Sequence, residues 1–111
     1  MFADENTVME LLLHAGQARS DAMEAIAASR YGEWENVAAL LASSEAACRE
    51  AHNIQTTLIG QDEGCGKIKV NLILVHAQDH LMTAMLCQDL AKEIIALRKE
   101  IAAWRLSQPA N

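Results

Sequence analysis

The sequence predicts an all-α protein, an antiparallel three-helix bundle built from one domain. Of its 111 residues, 51% are hydrophobic but only 4% are aromatic, so the apolar side chains are mostly small and suit closely packed helices. Apolar residues also recur at intervals of three and four along three long segments, which places them on one face of a helix. A chain of this length forms one compact core, and we predict a single domain over residues 1–111.

The first helix is predicted over about residues 7–30. Thr7 and Glu10 have the spacing of a capping box, in which two side chains bind free backbone N–H groups at a helix start. The stripe that follows is mostly alanine and ends at Gly32. Small side chains let a neighbouring helix approach closely, so tight packing is expected.

The second helix is predicted over about residues 33–59. Ser43 and Ser44 interrupt its apolar stripe and are the expected place of a kink or a short break. Glycines and short acidic residues then predict a flexible loop over residues 60–67. Gln55 is a candidate bridge between helices.

The third helix is predicted over about residues 70–105, before Pro109. Its first residues alternate as in a strand, but the 3.6-residue period continues far beyond the length of a strand and favours a helix. At 1.5 Å per residue, two of the helices are close to 40 Å or longer, and their apolar faces are wider than one protomer covers. Oligomerisation is therefore expected. The periodic positions of the third helix are Val75, Asp79, Met82, Leu86, Leu90, Ile94, Leu97 and Ile101.

Composition excludes several classes of function. The formal net charge is −6 and the nine basic residues are scattered along the chain, so nucleic acid is not an expected partner. The N-terminus lacks a secretory signal and no apolar run approaches the length of a membrane helix. A cytoplasmic protein is expected.

The three cysteines have no C-x-x-C spacing, which argues against a disulfide framework or a zinc site. Cys48 and Cys87 lie at positions typical of buried small hydrophobic residues. Cys65, between two glycines and next but one to Lys67, is the candidate for an exposed thiol.

The densest cluster of chemically active residues lies in the third helix. Helical spacing puts His76, Asp79 and His80 on one face, whereas Gln78 points elsewhere. A carboxylate beside two imidazoles fits a metal site, a nucleophilic histidine, or histidines that are simply hydrogen-bonded in a packed helix.

A zinc hydrolase is disfavoured because Ala77 stands where the H-E-x-x-H motif requires a glutamate, and no third ligand follows. A di-iron bundle is disfavoured because Glu-x-x-His does not occur in the chain. The spacing by itself fits both remaining interpretations, a nucleophile and structural histidines.

Three segments share sequence features with one known family. They read VNLILVHAQDHLMTA over residues 70–84, HAGQARS with AMEA over residues 14–25, and AHNIQTTLI over residues 51–59. In the same order they closely resemble the active-site segment and two helix signatures of the lactose/cellobiose-specific enzyme IIA family of the bacterial phosphotransferase sugar-uptake system. Asn71 stands where relatives often have serine, and the tail from residue 104 lies outside the likeness.

The resemblance implies a three-helix protomer that assembles as a homotrimer, a nine-helix bundle. It implies that His76 receives phosphate on Nε2 from the histidine-containing phosphocarrier protein and passes it to a cysteine of enzyme IIB, for uptake of a β-linked disaccharide. It also implies that Asp79 lies near the trimer axis and is a metal position, for which Mg²⁺ or another divalent cation is suited. Contact with the membrane is expected only indirectly, through the sugar permease.

The phosphate environment is predicted to contain His80 and Gln78. No arginine or lysine lies within a helical turn of His76, and a phosphoryl-imidazole keeps a high transfer potential where cationic groups do not clamp it. His80 is an equally good candidate for a packing role.

Two rival functions remain. A histidine phosphotransfer domain of a signalling relay is also helical, but its A-H-x-L-K-G pattern is not met around His52. In a non-catalytic helical scaffold, the residues around His76 would serve packing alone.

Overall fold

The structure, a computed structural model, describes residues 1–110 and contains three helices: α1 (Glu5–Ser29), α2 (Trp34–Asp62) and α3 (Leu72–Leu106). No β-sheet forms within these residues, which contain one isolated backbone bridge between Phe2 and Lys69. The helices make a rod of 69 × 21 × 19 Å. The predicted all-α fold of three helices is confirmed.

Helix α1 begins earlier than predicted because Asp4 caps it. One carboxylate oxygen of Asp4 accepts hydrogen bonds from the backbone N–H of Thr7 at 3.3 Å and from its hydroxyl at 3.2 Å. Thr7 therefore lies inside the first turn, and the predicted capping box of Thr7 with Glu10 is wrong. The carboxylate also interacts favourably with the positive end of the helix dipole.

Helix α2 extends beyond its predicted end, which shortens the predicted loop over residues 60–67. Glu63 ends the helix in the left-handed conformation, with φ of 54°. The Asp62 carboxylate accepts hydrogen bonds from the backbone N–H groups of Gly66 at 3.2 Å and Ile68 at 2.9 Å. These bonds hold the chain in the turn that leads to α3.

Helix α1 lies between α2 and α3, which touch each other only slightly. Its inner alanines, including Ala15, Ala18 and Ala22, are completely buried. Because alanine adds so little bulk, the backbones approach closely, and the core fills with larger side chains from the flanking helices such as Leu81 and Val37. The predicted tight packing of α1 is confirmed.

Polar groups at the middle of the bundle link all three helices. The Ser44 hydroxyl donates to the Ala18 carbonyl at 2.7 Å and accepts from Gln88 Nε2 at 3.0 Å. The Ser43 hydroxyl donates to the Asp21 carboxylate at 2.6 Å. Both serines thus bond to neighbouring helices, and α2 continues through them, so of the predicted kink or short break the break is absent.

Helix α3 has two apolar faces, only one of which is covered. The inner face, which includes Leu74, Leu81 and Ile95, packs into the bundle core. The opposite face carries the periodic positions noted in the sequence, and these side chains are exposed. We call this face the outer stripe. Its apolar members are Val75, Met82, Leu86, Leu90, Ile94, Leu97, Ile101 and Trp104.

Candidate functional site

The candidate site begins where α3 starts. Asn71 caps the helix, since its side-chain oxygen accepts the backbone N–H of Leu74 at 3.1 Å. Just before it, the backbone N–H of Lys69 donates to the carbonyl of Met1 at 2.6 Å, which ties the N-terminal segment to the loop. These two hydrogen bonds fix the segment that leads into α3. The second turn of α3, which contains His76, therefore has a defined position.

The rings of His76 and His80 are in contact on the surface of α3. Their ring centroids are 4.4 Å apart and the rings meet edge to face at 79°. His76 is exposed, whereas His80 is half-buried beside it. Contact with the half-buried His80 ring restricts the rotamers of His76, whose own ring stays open to solvent.

Asp79 lies on the outer stripe, one turn from both Val75 and Met82. Its carboxylate is exposed in the protomer. Within residues 1–110 no three His, Cys, Asp or Glu side chains come together as a metal centre. One protomer therefore offers a single carboxylate, whose oxygens suit a hard cation such as Mg²⁺ but do not enclose one.

Gln78 lies on a different side of α3, about 200° around the helix axis from His76. Its side-chain carbonyl accepts a hydrogen bond from Nε2 of Gln55 on α2. The predicted role of Gln55 as a bridge between helices is confirmed. Because its carbonyl is occupied, the Gln78 amide presents its N–H groups as donors.

An apolar groove of about 380 Å³ runs along the Gln78 side of the outer stripe. The sequence analysis predicted chemical roles for Gln78 and Asp79 but did not identify this groove. The sequence feature that could have indicated the groove is the run of apolar residues just before the histidine motif. The lining residues are Val70, Leu74, Val75, Gln78, Asp79 and Met82.

The three thiols differ in access, as the sequence predicted for Cys48 and Cys65. Cys48 is buried, Cys65 is exposed and Cys87 is half-buried, and all three are free thiols. Burial and the nearby Asp89 carboxylate raise the pKa of the Cys48 thiol, and Lys92 offsets only part of this effect. Cys48 is therefore a poor nucleophile at neutral pH.

We expect iodoacetamide at pH 7 to modify Cys65 first and Cys48 at least roughly tenfold more slowly, because the thiolate is the reactive form. Since the pKa of Cys48 is raised, its modification should accelerate only as pH rises above the usual thiol range. Mass spectrometry of timed samples measures both rates, and Cys65→Ser provides the control. Fast labelling of Cys48 at pH 7 would contradict the assigned burial.

Comparison with known proteins identifies the family. The family model described as the lactose/cellobiose-specific IIA subunit of the PTS, the phosphotransferase system, matches residues 6–99. The chain belongs to this IIA family. The matched region contains His76, Gln78, Asp79 and His80, and it excludes the end of α3, as the resemblance predicted.

Relatives of the IIA family match nearly the whole chain. The N,N'-diacetylchitobiose-specific EIIA component of Escherichia coli K12 is 46% identical over 99 residues, 89% of this chain and 85% of that protein. The cellobiose-specific enzyme IIA from Bacillus anthracis superposes with a TM-score of 0.86 at 37% identity, covering 93% of this chain and 94% of that one. The E. coli IIA(Chitobiose) chain in complex with HPr gives 0.77 at 44% identity, with 90% and 99% covered.

Within residues 1–110, no helix has both the length and the hydrophobicity needed to cross a bilayer.

Proposed function

We propose that this IIA protein is a phosphoryl carrier that accepts phosphate on Nε2 of His76 from the histidine-containing phosphocarrier protein. It then passes the phosphate to a cysteine of enzyme IIB during uptake of a β-linked disaccharide. The observation that carries the proposal is the exposed His76 ring, which meets His80 edge to face within the matched region. Support for the donor comes from the E. coli relative that was solved in complex with HPr.

The chemistry needs one positioned imidazole. The lone pair of His76 Nε2 attacks phosphorus, a P–N bond forms, and the P–N bond to the donor histidine breaks with its electrons left on the donor ring. In the second step the thiolate of enzyme IIB attacks phosphorus, a P–S bond forms, and the P–N bond to His76 breaks with its electrons returned to the ring, which leaves a neutral imidazole. The His80 ring, whose centroid is 4.4 Å from that of His76, would donate an N–H to the phosphate.

A weak hold on phosphate suits a carrier. Lys69, the basic residue closest along the chain before His76, lies over the ring of Phe2 with Nζ 5.5 Å from the ring centroid. A site without a cationic clamp leaves the phosphoryl-imidazole its transfer potential. The phosphate can then move on to enzyme IIB.

The test is a labelling experiment with two donors. Incubation with the ³²P-phosphorylated histidine-containing phosphocarrier protein is expected to label the chain, and enzyme IIB is expected to remove the label. A phosphorylated response regulator is expected to give none. Labelling by the response regulator alone would identify a signalling phosphotransfer domain, and labelling by neither donor would indicate a scaffold.

We further propose that the protein is a homotrimer in which the outer stripes of three α3 helices meet on the axis. The stripe extends over about 45 Å of helix, and large apolar side chains such as Leu86, Leu97 and Trp104 are more than half exposed on it. An uncovered apolar face of this length is typical of an oligomer interface. In a closed ring of three identical copies, each stripe is covered by those of the other two.

Asp79 lies within this stripe, so a threefold axis would bring three of its carboxylates together. Three copies supply the set of oxygen ligands that one protomer lacks, and a divalent cation such as Mg²⁺ with water ligands would neutralise them. We propose that Asp79 holds this cation at the axis.

The trimer also gives Gln78 a role toward phosphate. On α3, His76 and Gln78 flank the outer stripe on opposite sides. Around a threefold axis, one flank of each helix faces the opposite flank of the next helix. The Gln78 amide, held by Gln55, would then face His76 of the neighbouring copy and not its own.

Mixed trimers test this arrangement. Gln78→Ala should slow phosphorylation of His76 by roughly 10- to 100-fold, the cost of one hydrogen bond to a charged group. Trimers refolded from equal amounts of Gln78→Ala and His76→Ala should label about half of their intact His76 residues at the wild-type rate, because half have a neighbour with Gln78. No recovery in the mixture would show that Gln78 acts within its own chain or not at all.

A further inference from the structure

A second cavity lies at the opposite end of the bundle from His76, about 40 Å away along α3. Its volume is about 290 Å³, and it is formed where α1 ends, α2 begins and α3 makes its last turns. Three arginines line it, Arg30, Arg98 and Arg105, together with Ser29 and Trp34. Arg98 and Arg105 lie two turns apart on α3, and the fold brings Arg30, from the end of α1, to the same cavity.

Arg98 is held in a fixed orientation. Its Nη1 donates to the Ile26 carbonyl and, at 2.7 Å, to the Ser29 hydroxyl, which closes the end of α1. Guanidinium has five N–H donors, so this anchoring leaves others available to the cavity. The side chains of Arg30 and Arg105 are exposed and free to close over a ligand.

The arginines have no carboxylate partner within residues 1–110. Residues 1–110 contain two ion pairs, Lys67 with Glu63 and Lys92 with Glu45, and neither involves a residue of the cavity. The chain has a net charge of −6, so carboxylates are not scarce. Three guanidinium groups around one cavity repel one another, and an anion among them would relieve that repulsion.

Trp34 lines the cavity and can report on what binds there. Its ring lies under Lys99, whose Nζ is 5.6 Å from the ring centroid. Its indole Nε1 lies 3.8 Å from the position that a Cβ on Gly32 would occupy, and both residues line the cavity. An anion bound in the cavity would change the surroundings of the Trp34 indole and therefore its fluorescence.

We propose that this cavity, the arginine pocket, binds a small phosphate-bearing anion. Guanidinium forks match the paired oxygens of phosphate, and three of them favour a group with more than one negative charge over a single carboxylate. The volume exceeds that of inorganic phosphate, so a phosphate ester with a small organic group also fits. The pocket is separate from the histidine site, and the proposal does not depend on phosphoryl transfer.

The test is titration of Trp34 fluorescence in a Trp104→Phe background, with pyrophosphate, inorganic phosphate and glucose 6-phosphate at constant ionic strength. Saturable quenching is expected, strongest for pyrophosphate or for the ester. The double variant Arg30→Gln/Arg105→Gln should raise the Kd at least about tenfold, because charged hydrogen bonds to phosphate are lost. The matched control Arg19→Gln/Arg49→Gln removes the same charge from exposed positions outside the pocket and should leave the Kd unchanged.

Equal weakening in both double variants would show general attraction of anions to positive charge and would overturn the proposal. Absence of saturable quenching would overturn it as well. Sedimentation of the two variants identifies the alternative in that case: loss of association only in Arg30→Gln/Arg105→Gln would mean that a carboxylate of a second copy occupies the pocket.

Discussion

Replacing His76 with alanine is expected to abolish phosphoryl acceptance from the phosphorylated histidine-containing phosphocarrier protein. The imidazole is the one nucleophile that the proposed transfer uses, and removing a catalytic nucleophile costs at least about 10⁴-fold in rate. Alanine has a high helix propensity and His76 is exposed, so α3 should remain folded. The label on the wild-type protein should be lost in acid and retained in base, as for a phosphorus–nitrogen bond.

Two histidine variants complete this experiment. His80→Ala should still be labelled, roughly tenfold more slowly, because one donor and the packing partner of His76 are lost. His52→Ala, at an exposed position of α2, should behave as wild type. Stoichiometric labelling of His76→Ala, together with an unlabelled His80→Ala, would move the phosphate acceptor to His80.

Replacing Asp79 with leucine is expected to preserve or strengthen the trimer in the absence of metal. Three carboxylates on the axis repel one another unless a cation or protonation neutralises them. Leucine removes that repulsion and continues the outer stripe between Val75 and Met82. Exchange of clustered buried charges for apolar side chains is often neutral or stabilising by about 1–4 kcal/mol.

Sedimentation velocity with and without a chelator at alkaline pH measures this effect. Chelation should weaken association of the wild type and leave Asp79→Leu unaffected. Leu86→Asp, which adds a charge to the same stripe two turns away, should dissociate the trimer. A wild type that stays trimeric throughout, beside an Asp79→Leu protein that falls to monomers, would show that Asp79 makes a stabilising contact.

The sequence predicted the helices because their signals are local. The 3.6-residue period and the glycines place three long helices, and the structure moves their ends by only a few residues. The errors occurred where a single side chain decides the outcome. Asp4 and not Thr7 caps α1, and the hydroxyls of Ser43 and Ser44 bond to α1 and α3 and leave α2 intact.

The candidate site was likewise predicted by local spacing, because His76 and His80 are one helical turn apart in any α-helix. The motif also led to the correct family. The sequence suggested that Gln55 bridges two helices. It could not show that Gln78 is the partner, because Gln55 lies 23 residues earlier on another helix.

By itself, the sequence determined the helical class, the three long helices and the histidine pair, all of which depend on residues within a turn or two of one another. The tertiary structure decided which of the two apolar faces of α3 is buried, because that depends on where α1 lies and not on the period, which both faces share. It also decided that Arg98 meets Ser29, 69 residues away, and that Arg30 and Arg105 share its cavity. Such juxtapositions depend on helix packing between distant segments, and local spacing contains no record of them.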